Sequence, residues 1–299
     1  MPHLISIHDL TKTDILAYLD LAETLQAHPQ TDLLQNKLIA LAFFEPSTRT
    51  RLSFEAAALR LGARVMGFAE ASATSVAKGE SLSDTLKVLD GYADALIIRH
   101  PKEGSARLAS EIAGVPVINA GDGANQHPSQ TLLDLFTIRQ AFGHLEGLHL
   151  ALMGDLKYSR TIHSLVEAAS LFDMRLYFIA TEGLMLPPAL TELLKRRGVK
   201  FSFHRDVKEV IVKIDVLYLT RLQKERMPQE APLTHQNIDL QVLKDAKPSL
   251  KILHPLPRQN ELPPEIDATK HALYFEQAKN GVVVRQAILL KALGIHHAQ

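Results

Sequence analysis

Apolar and polar positions fall into blocks along this chain. Leu38-Ile39-Ala40-Leu41-Ala42-Phe43-Phe44 is a continuous apolar run, the pattern of a strand covered on both faces. Similar short runs recur at 65–68, 95–98, 115–120, 148–153, 176–180, 201–203, 216–219 and 251–253. Between them, apolar residues lie at helical spacing. A first helix is predicted over 9–28, with Asp9 as its cap and Ile15, Leu19, Ala22 and Leu25 turned inward. A second covers about 48–61, with Leu52, Ala56 and Leu59 as its stripe. Further helices are expected over 81–92, 107–113 and 129–142, up to Leu171, and over 188–197, 206–214 and 240–246. The last, 282–293, follows Asn280-Gly281. The β-branched residues of 206–214 lower its helix propensity. The small polar stretch 69–80 reads as an exposed loop, and 227–238 as another. Strands alternating with helices predict an α/β fold with parallel sheets and helices on both faces. Gly143-His144-Leu145-Glu146-Gly147 breaks the pattern before it restarts. Two domains follow, with a hinge in or just before that break.

Composition narrows the chemistry. A length of 299 residues suits two cores rather than one. Lys+Arg 33 cancels Asp+Glu 33, which argues against a nucleic-acid or membrane-surface partner and makes any anion binding local. The absence of cysteine removes disulfides, thiolate nucleophiles and cysteine-held zinc or iron–sulfur centres. With no H-E-x-x-H and no grouped carboxylates, no metal is expected. The start of the sequence has no charged-then-apolar leader and no long apolar run follows, so a cytoplasmic protein is expected.

The strand ends carry the chemistry. The run 38–44 opens into Glu45-Pro46-Ser47-Thr48-Arg49-Thr50-Arg51. A strand feeding a helix through hydroxyls and arginines gathers backbone N–H groups, hydroxyl donors and a forked cation, which suits phosphate. A capped surface helix with two solvated arginines would use the same residues. In open parallel sheets ligands sit beyond the carboxyl ends of the strands, where Arg99 and His127 also fall. Later in the chain, Arg160 and Arg221 are forked donors of the type that grips carboxylates, and two of them facing one cleft predict a dicarboxylate.

In chain order, five motifs resemble those of the aspartate transcarbamoylases. They are Ser47-Thr48-Arg49-Thr50, Arg99-His100-Pro101, His127-Pro128-Ser129-Gln130, Arg221-Leu222-Gln223 and His254-Pro255-Leu256-Pro257. Ser75, Lys78, Arg160 and the closing Tyr274-Phe275 and Asn280-Gly281 complete a resemblance that spans nearly the whole chain. It implies transfer of the carbamoyl group from carbamoyl phosphate to the amine of L-aspartate, giving N-carbamoyl-L-aspartate and phosphate early in pyrimidine synthesis, with no cofactor. It also implies the roles. Arg49, Thr50, Arg99 and His127 form the catalytic set. Ser47, Thr48, Arg49 and Thr50 take the phosphate, and Thr50, Arg99 and His127 take the carbonyl oxygen. Gln130 takes the carbamoyl amino group, and Leu256 and Pro257 line the site through the backbone across a cis bond. Arg160 holds the α-carboxylate of aspartate, and Arg221 with Gln223 holds the side-chain carboxylate. Ser75 and Lys78 serve the neighbouring subunit's site, with Lys78 reaching phosphate and aspartate, which implies a homotrimer. A separate regulatory chain is a partner compatible with the resemblance. The domains implied are 1–130 with 281–299 for carbamoyl phosphate and 131–280 for aspartate. The loop around Lys78 has one lysine where some relatives have two.

Rival readings fail on particular residues. An ornithine transcarbamoylase characteristically has His-Cys-Leu-Pro where this chain has Pro255, and a cationic substrate would face Arg160 and Arg221, which have the wrong sign. A nicotinamide dehydrogenase would need G-x-G-x-x-G after strand 148–153, and only Gly154-Asp155 is present. A non-catalytic anion-binding protein would not need His127 and Gln130 beside a phosphate site.

Overall fold

The computed structural model describes residues 3–223 and 237–295. Contacts divide the chain into two units, residues 1–136 with 279–299 and residues 137–278. In the first unit, β1 (Leu38–Phe43), β2 (Arg64–Phe68), β3 (Ala95–His100) and β4 (Val117–Asp122) form a parallel sheet in the order β2-β1-β3-β4. Around it run α1 (Lys12–Ala27), α2 (Thr48–Arg60), α3 (Leu82–Asp90), α4 (Ser105–Ile112) and the start of α5 (Pro128–Phe142). In the second unit, β5 (His149–Met153), β6 (Arg175–Ile179), β7 (Phe201–His204), β8 (Val216–Leu219) and β9 (Lys251–Leu253) are parallel in the order β7-β6-β5-β8-β9. Its helices are α6 (Arg160–Ala169) and α7 (Pro188–Arg196), and α8 (Tyr274–Ala292) runs from this unit into the first. There α8 packs on α1, with Lys291 Nζ 5.0 Å from the Tyr18 ring centroid. No helix among the described residues is long and apolar enough to cross a membrane.

The central apolar runs are strands covered on both faces, whereas β2 and β7, at the sheet edges, have no buried residue. Every residue of β1 from Ile39 to Phe43 is buried, and β8 is buried throughout. Lys37 and Asp94 fix the start of β1: Asp94 accepts from Lys37 Nζ at 2.9 Å and from Leu38 N at 2.8 Å.

Several boundaries move from their predicted places. Thr11, not Asp9, caps α1. Its hydroxyl accepts from Asp14 N while Asp14 accepts from Thr11 N, a capping box, and Asp9 pairs with Arg107. On α2 the stripe Leu52, Ala56, Leu59 faces outward, with Leu52 and Leu59 each more than half exposed. The buried face is Thr50, Phe54, Ala57 and Ala58. Two registers of α2 satisfy the helical spacing, and the one carrying Phe54, Ala57 and Ala58 is the one buried. The predicted helix 206–214 shrinks to a 3-10 turn, Val207–Glu209, because Val207, Val210, Ile211 and Ile214 all enter the core from a short connection. The predicted helix 240–246 is likewise a 3-10 turn, Val242–Asp245. The loop 69–80 contains two further such turns, Ala71–Ala73 and Ser75–Lys78. The closing helix begins eight residues earlier than predicted and passes straight through Asn280-Gly281. A Cβ on Gly281 would lie 2.3 Å from Arg285 Nη1 and 3.3 Å from Leu133 Cδ2, so this glycine makes room within a helix instead of starting one. All but the last two residues of the loop expected over 227–238, together with Lys224, Glu225, Arg226 and the pair His296-His297, lie outside the described residues.

One close approach holds the second sheet at its centre. Gly154, directly after β5, has φ 116°. A Cβ there would sit 2.2 Å from the carbonyl oxygen of Thr220, directly after β8. Gly183 also has positive φ, 89°, but nothing lies within 4 Å of its Cβ position. Gly154→Ala should therefore destabilise the protein by about 1–3 kcal/mol through strain plus the clash, clearly more than Gly183→Ala. Denaturant midpoints of the two variants check the ranking.

Candidate functional site

Both sheets reverse strand order once. In the first unit the chain lays β2 on one side of β1 and β3 on the other, so the reversal lies between β1 and β3. In the second it lies between β5 and β8. At such a point the loops leaving the carboxyl ends run in opposite directions and open a crevice. The predicted residues follow these strands.

After β1, Ser47 stands at the N-cap position of α2 and makes no side-chain cap hydrogen bond. Thr11 and Ser81 do cap α1 and α3 with their hydroxyls. The first turn of α2 thus presents its N–H groups beside Ser47 and Thr48, with Thr50 buried and Arg49 exposed. Arg51 pairs with Glu55 at 3.2 Å along the helix, so the motif's second arginine is engaged there. Arg99, next to the last residue of β3, spans both neighbouring strands. Its Nη2 meets Glu45 Oε1 at 2.8 Å just beyond β1, and its Nη1 donates to Ala120 O of β4 at 3.3 Å. Backbone pairing keeps these ends together, Phe43 lying opposite Arg99 and Phe44 N donating to Arg99 O at 2.8 Å.

After β4 the chain turns sharply around Asp122. Its carboxylate accepts from Asn119 Nδ2, Gly104 N, Asn125 Nδ2 and Gln126 N at 2.9–3.2 Å. This rigid turn delivers buried His127 to the start of α5, where Ser129 Oγ lies 3.4 Å from its Nδ1. One turn along α5, Gln130 Nε2 donates to Asp134 Oδ1 at 2.8 Å. His100 organises the loop after β3, its Nδ1 meeting Lys102 N at 3.0 Å and Ser105 Oγ at 2.8 Å. Burial lowers its pKa.

In the second unit Asp155 is the organiser. It is fully buried and accepts from Lys157 N, Tyr158 N and Gln223 N at 2.9–3.1 Å, fastening the loop after β5 to the loop after β8. Burial pushes its pKa up against those three bonds. Arg160 begins α6 and is buried, and Ser159 beside it reaches Thr220 Oγ1 at 3.3 Å. Arg221 Nη1 donates to Leu222 O at 2.8 Å, and Gln223 Nε2 donates to Arg221 O at 3.3 Å. Arg160 and Arg221 therefore follow two adjacent strands at the reversal. Gly154, where a dinucleotide site would have its glycines, serves the contact with Thr220.

The strand next to β8 is β9, which runs into His254-Pro255-Leu256-Pro257. The Leu256-Pro257 bond is cis and Leu256 has φ 57°. Leu256 N donates to His254 Nδ1 at 2.8 Å, which leaves Nε2 as the protonated nitrogen facing Glu261 Oε1 at 2.9 Å. Ser75 and Lys78 both lie exposed on the 3-10 turn Ser75–Lys78, which is closed by Gly79 at φ 95°. Sequence reasoning assigned no role to Glu45, Asp122, Asp155 or Glu261. Glu45 lies inside the first motif and Asp155 directly after Gly154, but nothing local distinguishes Glu261.

The carbamoyl-P binding domain of the aspartate/ornithine carbamoyltransferase family matches residues 2–140, and the Asp/Orn binding domain of the same family matches 146–292. The aspartate carbamoyltransferase catalytic subunit of Thermococcus kodakarensis is 53% identical, covering 97% of this chain and 96% of that protein. That of Chromobacterium violaceum is 52% identical, covering 96% of each. Among solved structures, aspartate transcarbamoylase from Trypanosoma cruzi with carbamoyl aspartate and phosphate superposes with TM-score 0.89 at 37% identity, covering 99% of this chain and 96% of that one. The catalytic subunit from M. jannaschii superposes with TM-score 0.86 at 45% identity, covering 98% of each.

The His254–Glu261 pair makes a pH prediction. Burial alone pushes the Glu261 carboxyl up, but the hydrogen bonds from His254 and Gln259 N outweigh it and leave the pKa below its ordinary value. A depressed folded-state pKa contributes stability above the ordinary glutamate value, about 4, and loses it as pH falls through the depressed value. Glu261→Gln should therefore flatten the acid limb of stability against pH. Urea midpoints at neutral pH and below pH 4 test this: the wild type should lose more between the two than the variant.

Proposed function

The chain belongs to the aspartate/ornithine carbamoyltransferase family, and we propose that it serves the aspartate branch, an early step of pyrimidine synthesis. The observation that carries this choice is the pair Arg160 and Arg221 at the strand reversal of the second unit. Two guanidinium forks on adjacent strand ends favour a dicarboxylate and repel the side-chain ammonium of ornithine. Relatives whose names carry the aspartate activity, at over half identity across the chain, support the same reading.

The amine of L-aspartate attacks the carbamoyl carbon, the bond from that carbon to the phosphate oxygen breaks, and N-carbamoyl-L-aspartate and phosphate leave. The first turn of α2, with Ser47, Thr48, Arg49 and Thr50, takes the phosphate. Thr50, Arg99 and His127 stabilise the negative charge that grows on the carbonyl oxygen. Arg99 suits this because Glu45 and Ala120 O already hold its guanidinium in place, so little reorganisation accompanies the reaction. Gln130 binds the carbamoyl amino group, and Leu256 and Pro257 contribute backbone. Arg160 takes the α-carboxylate, and Arg221 with Gln223 the β-carboxylate. The departing phosphate accepts the proton lost by the amine. Ser75 and Lys78, too exposed to serve a core, complete the site of a neighbouring copy in a homotrimer, to which a regulatory chain can add. Charge balance and the lack of cysteine suit a cytoplasmic enzyme.

Turnover should occur with aspartate and not with ornithine, and formation of citrulline in a ureido assay would overturn the reading. Arg221→Ala should chiefly raise KM for aspartate, by about 1.5–3 kcal/mol of lost binding. For the shared site, Arg49→Ala and Lys78→Ala enzymes should each be nearly inactive. Unfolding them together and refolding at equal amounts should restore about a quarter of wild-type sites, since a closed ring pairs an intact Arg49 with a neighbour's intact Lys78 at that frequency. Activity that stays at the parental level would place Lys78 in its own chain's business or in none.

A further inference from the structure

Arg285 is a buried arginine that the reaction as described does not use. It lies on α8, 3% exposed, and its surroundings are specific. Nη1 donates to Gly281 O at 3.0 Å, one turn back along α8, where the missing Cβ makes room for it. The guanidinium carbon lies 5.0 Å from the ring centroid of Phe54. Phe54 is one turn beyond Thr50 on α2. The charge of Asp134 acts on Arg285, and Asp134, fully buried, is one turn beyond Gln130 on α5. Burial draws the arginine's pKa down to about 10, which leaves it charged at neutral pH.

Asp134 in turn fixes the direction of an amide. A carboxylate only accepts hydrogen bonds, so the Gln130 group that faces it must be the NH2. The structure has that arrangement, Gln130 Nε2 lying 2.8 Å from Asp134 Oδ1. The amide oxygen is then the end turned away from Asp134. Resting on the function proposed above, that oxygen is the acceptor a carbamoyl NH2 requires, whereas a flipped amide would set donor against donor.

We propose that Asp134 is a positioning residue for the carbamoyl group: its carboxylate, fully buried, orients the Gln130 amide so that its oxygen faces substrate. A buried carboxylate without a compensating charge would take up a proton or be destabilised, and a protonated acid could accept Gln130 in either sense. Through Phe54 the Arg285 cation also braces the helix whose first turn takes the phosphate. Neither residue touches substrate. The effect of Asp134 passes through Gln130.

Inorganic phosphate gives the discriminating probe, because it occupies the anion site but has no amino group. In Asp134→Asn, kcat/KM for carbamoyl phosphate should fall about tenfold or more, the scale of one charged hydrogen bond. The inhibition constant of inorganic phosphate should stay within about twofold, since residues 47–50 are unchanged. In a Gln130→Ala background the same substitution should have almost no further effect on kcat/KM. Should Asp134→Asn alone fail to fold because Arg285 is left uncompensated, the neutral pair Asp134→Asn/Arg285→Met takes its place with the same expected pattern. Parallel loss of carbamoyl phosphate turnover and phosphate inhibition, a full effect in the Gln130→Ala background, or no loss at all would overturn the proposal. Failure of the wild type to turn over carbamoyl phosphate and aspartate would instead remove the function on which it rests.

Discussion

Everything in this molecule that bears on chemistry depends on a constraint of parallel sheets. Successive parallel strands need crossover connections, and when the chain adds strands first on one side of a starting strand and then on the other, the crossovers must part company. The gap between them is at the carboxyl ends of the two strands that meet at the reversal. Here that happens twice, between β1 and β3 and between β5 and β8. The loops that follow these strands need no residues to close the gap and can carry function instead. What they do need is rigidity: Asp122 ties Gly104 in the loop after β3 to the turn after β4, and Asp155 fastens the loop after β5 to the loop after β8.

The elements themselves were largely legible. Continuous apolar runs such as 38–44 have one interpretation in a chain with helices between them, and all nine become strands. Motif residues could be picked out because strand ends are legible once strands are. What the sequence could not show was strand order, and with it the reason Arg160 and Arg221 follow neighbouring strands although some sixty residues separate them. Helical faces were ambiguous for a related reason. On α2 the spacing fits Leu52 and Leu59 as well as Phe54, Ala57 and Ala58, and the choice depends on distant partners such as Arg285 over the Phe54 ring. Asn280-Gly281 reads as a helix start by local preference, yet the glycine answers to Arg285, a contact within α8 that no propensity scale encodes. Glu261 gave no signal because its partner His254 is reached by a loop of unremarkable residues.

Charge is handled in the same way throughout. Arg99 is paired with Glu45, and His254 with Glu261, while Asp155 spends its charge on three backbone amides. Asp155 holds in place the two loops on which Arg160 and Arg221 lie, and a chain with no net charge thereby carries arginines fixed at its strand ends.

The unequal treatment of helix starts bears on how this protein will behave in a test tube. α1 and α3 close their own first turns with a threonine and a serine, whereas Ser47 leaves the first turn of α2 without such a bond. Under the function proposed above, a phosphate seated there would finish the helix, and its binding would become part of the folding free energy. At one hundred times its dissociation constant an ion of this kind adds about 2.7 kcal/mol of stability. Phosphate is a common buffer as well as a product. A melting temperature taken in phosphate and one taken in an anion-poor buffer would therefore describe two different ligation states of the same chain, and the choice of buffer would decide which one is called the stability of the protein.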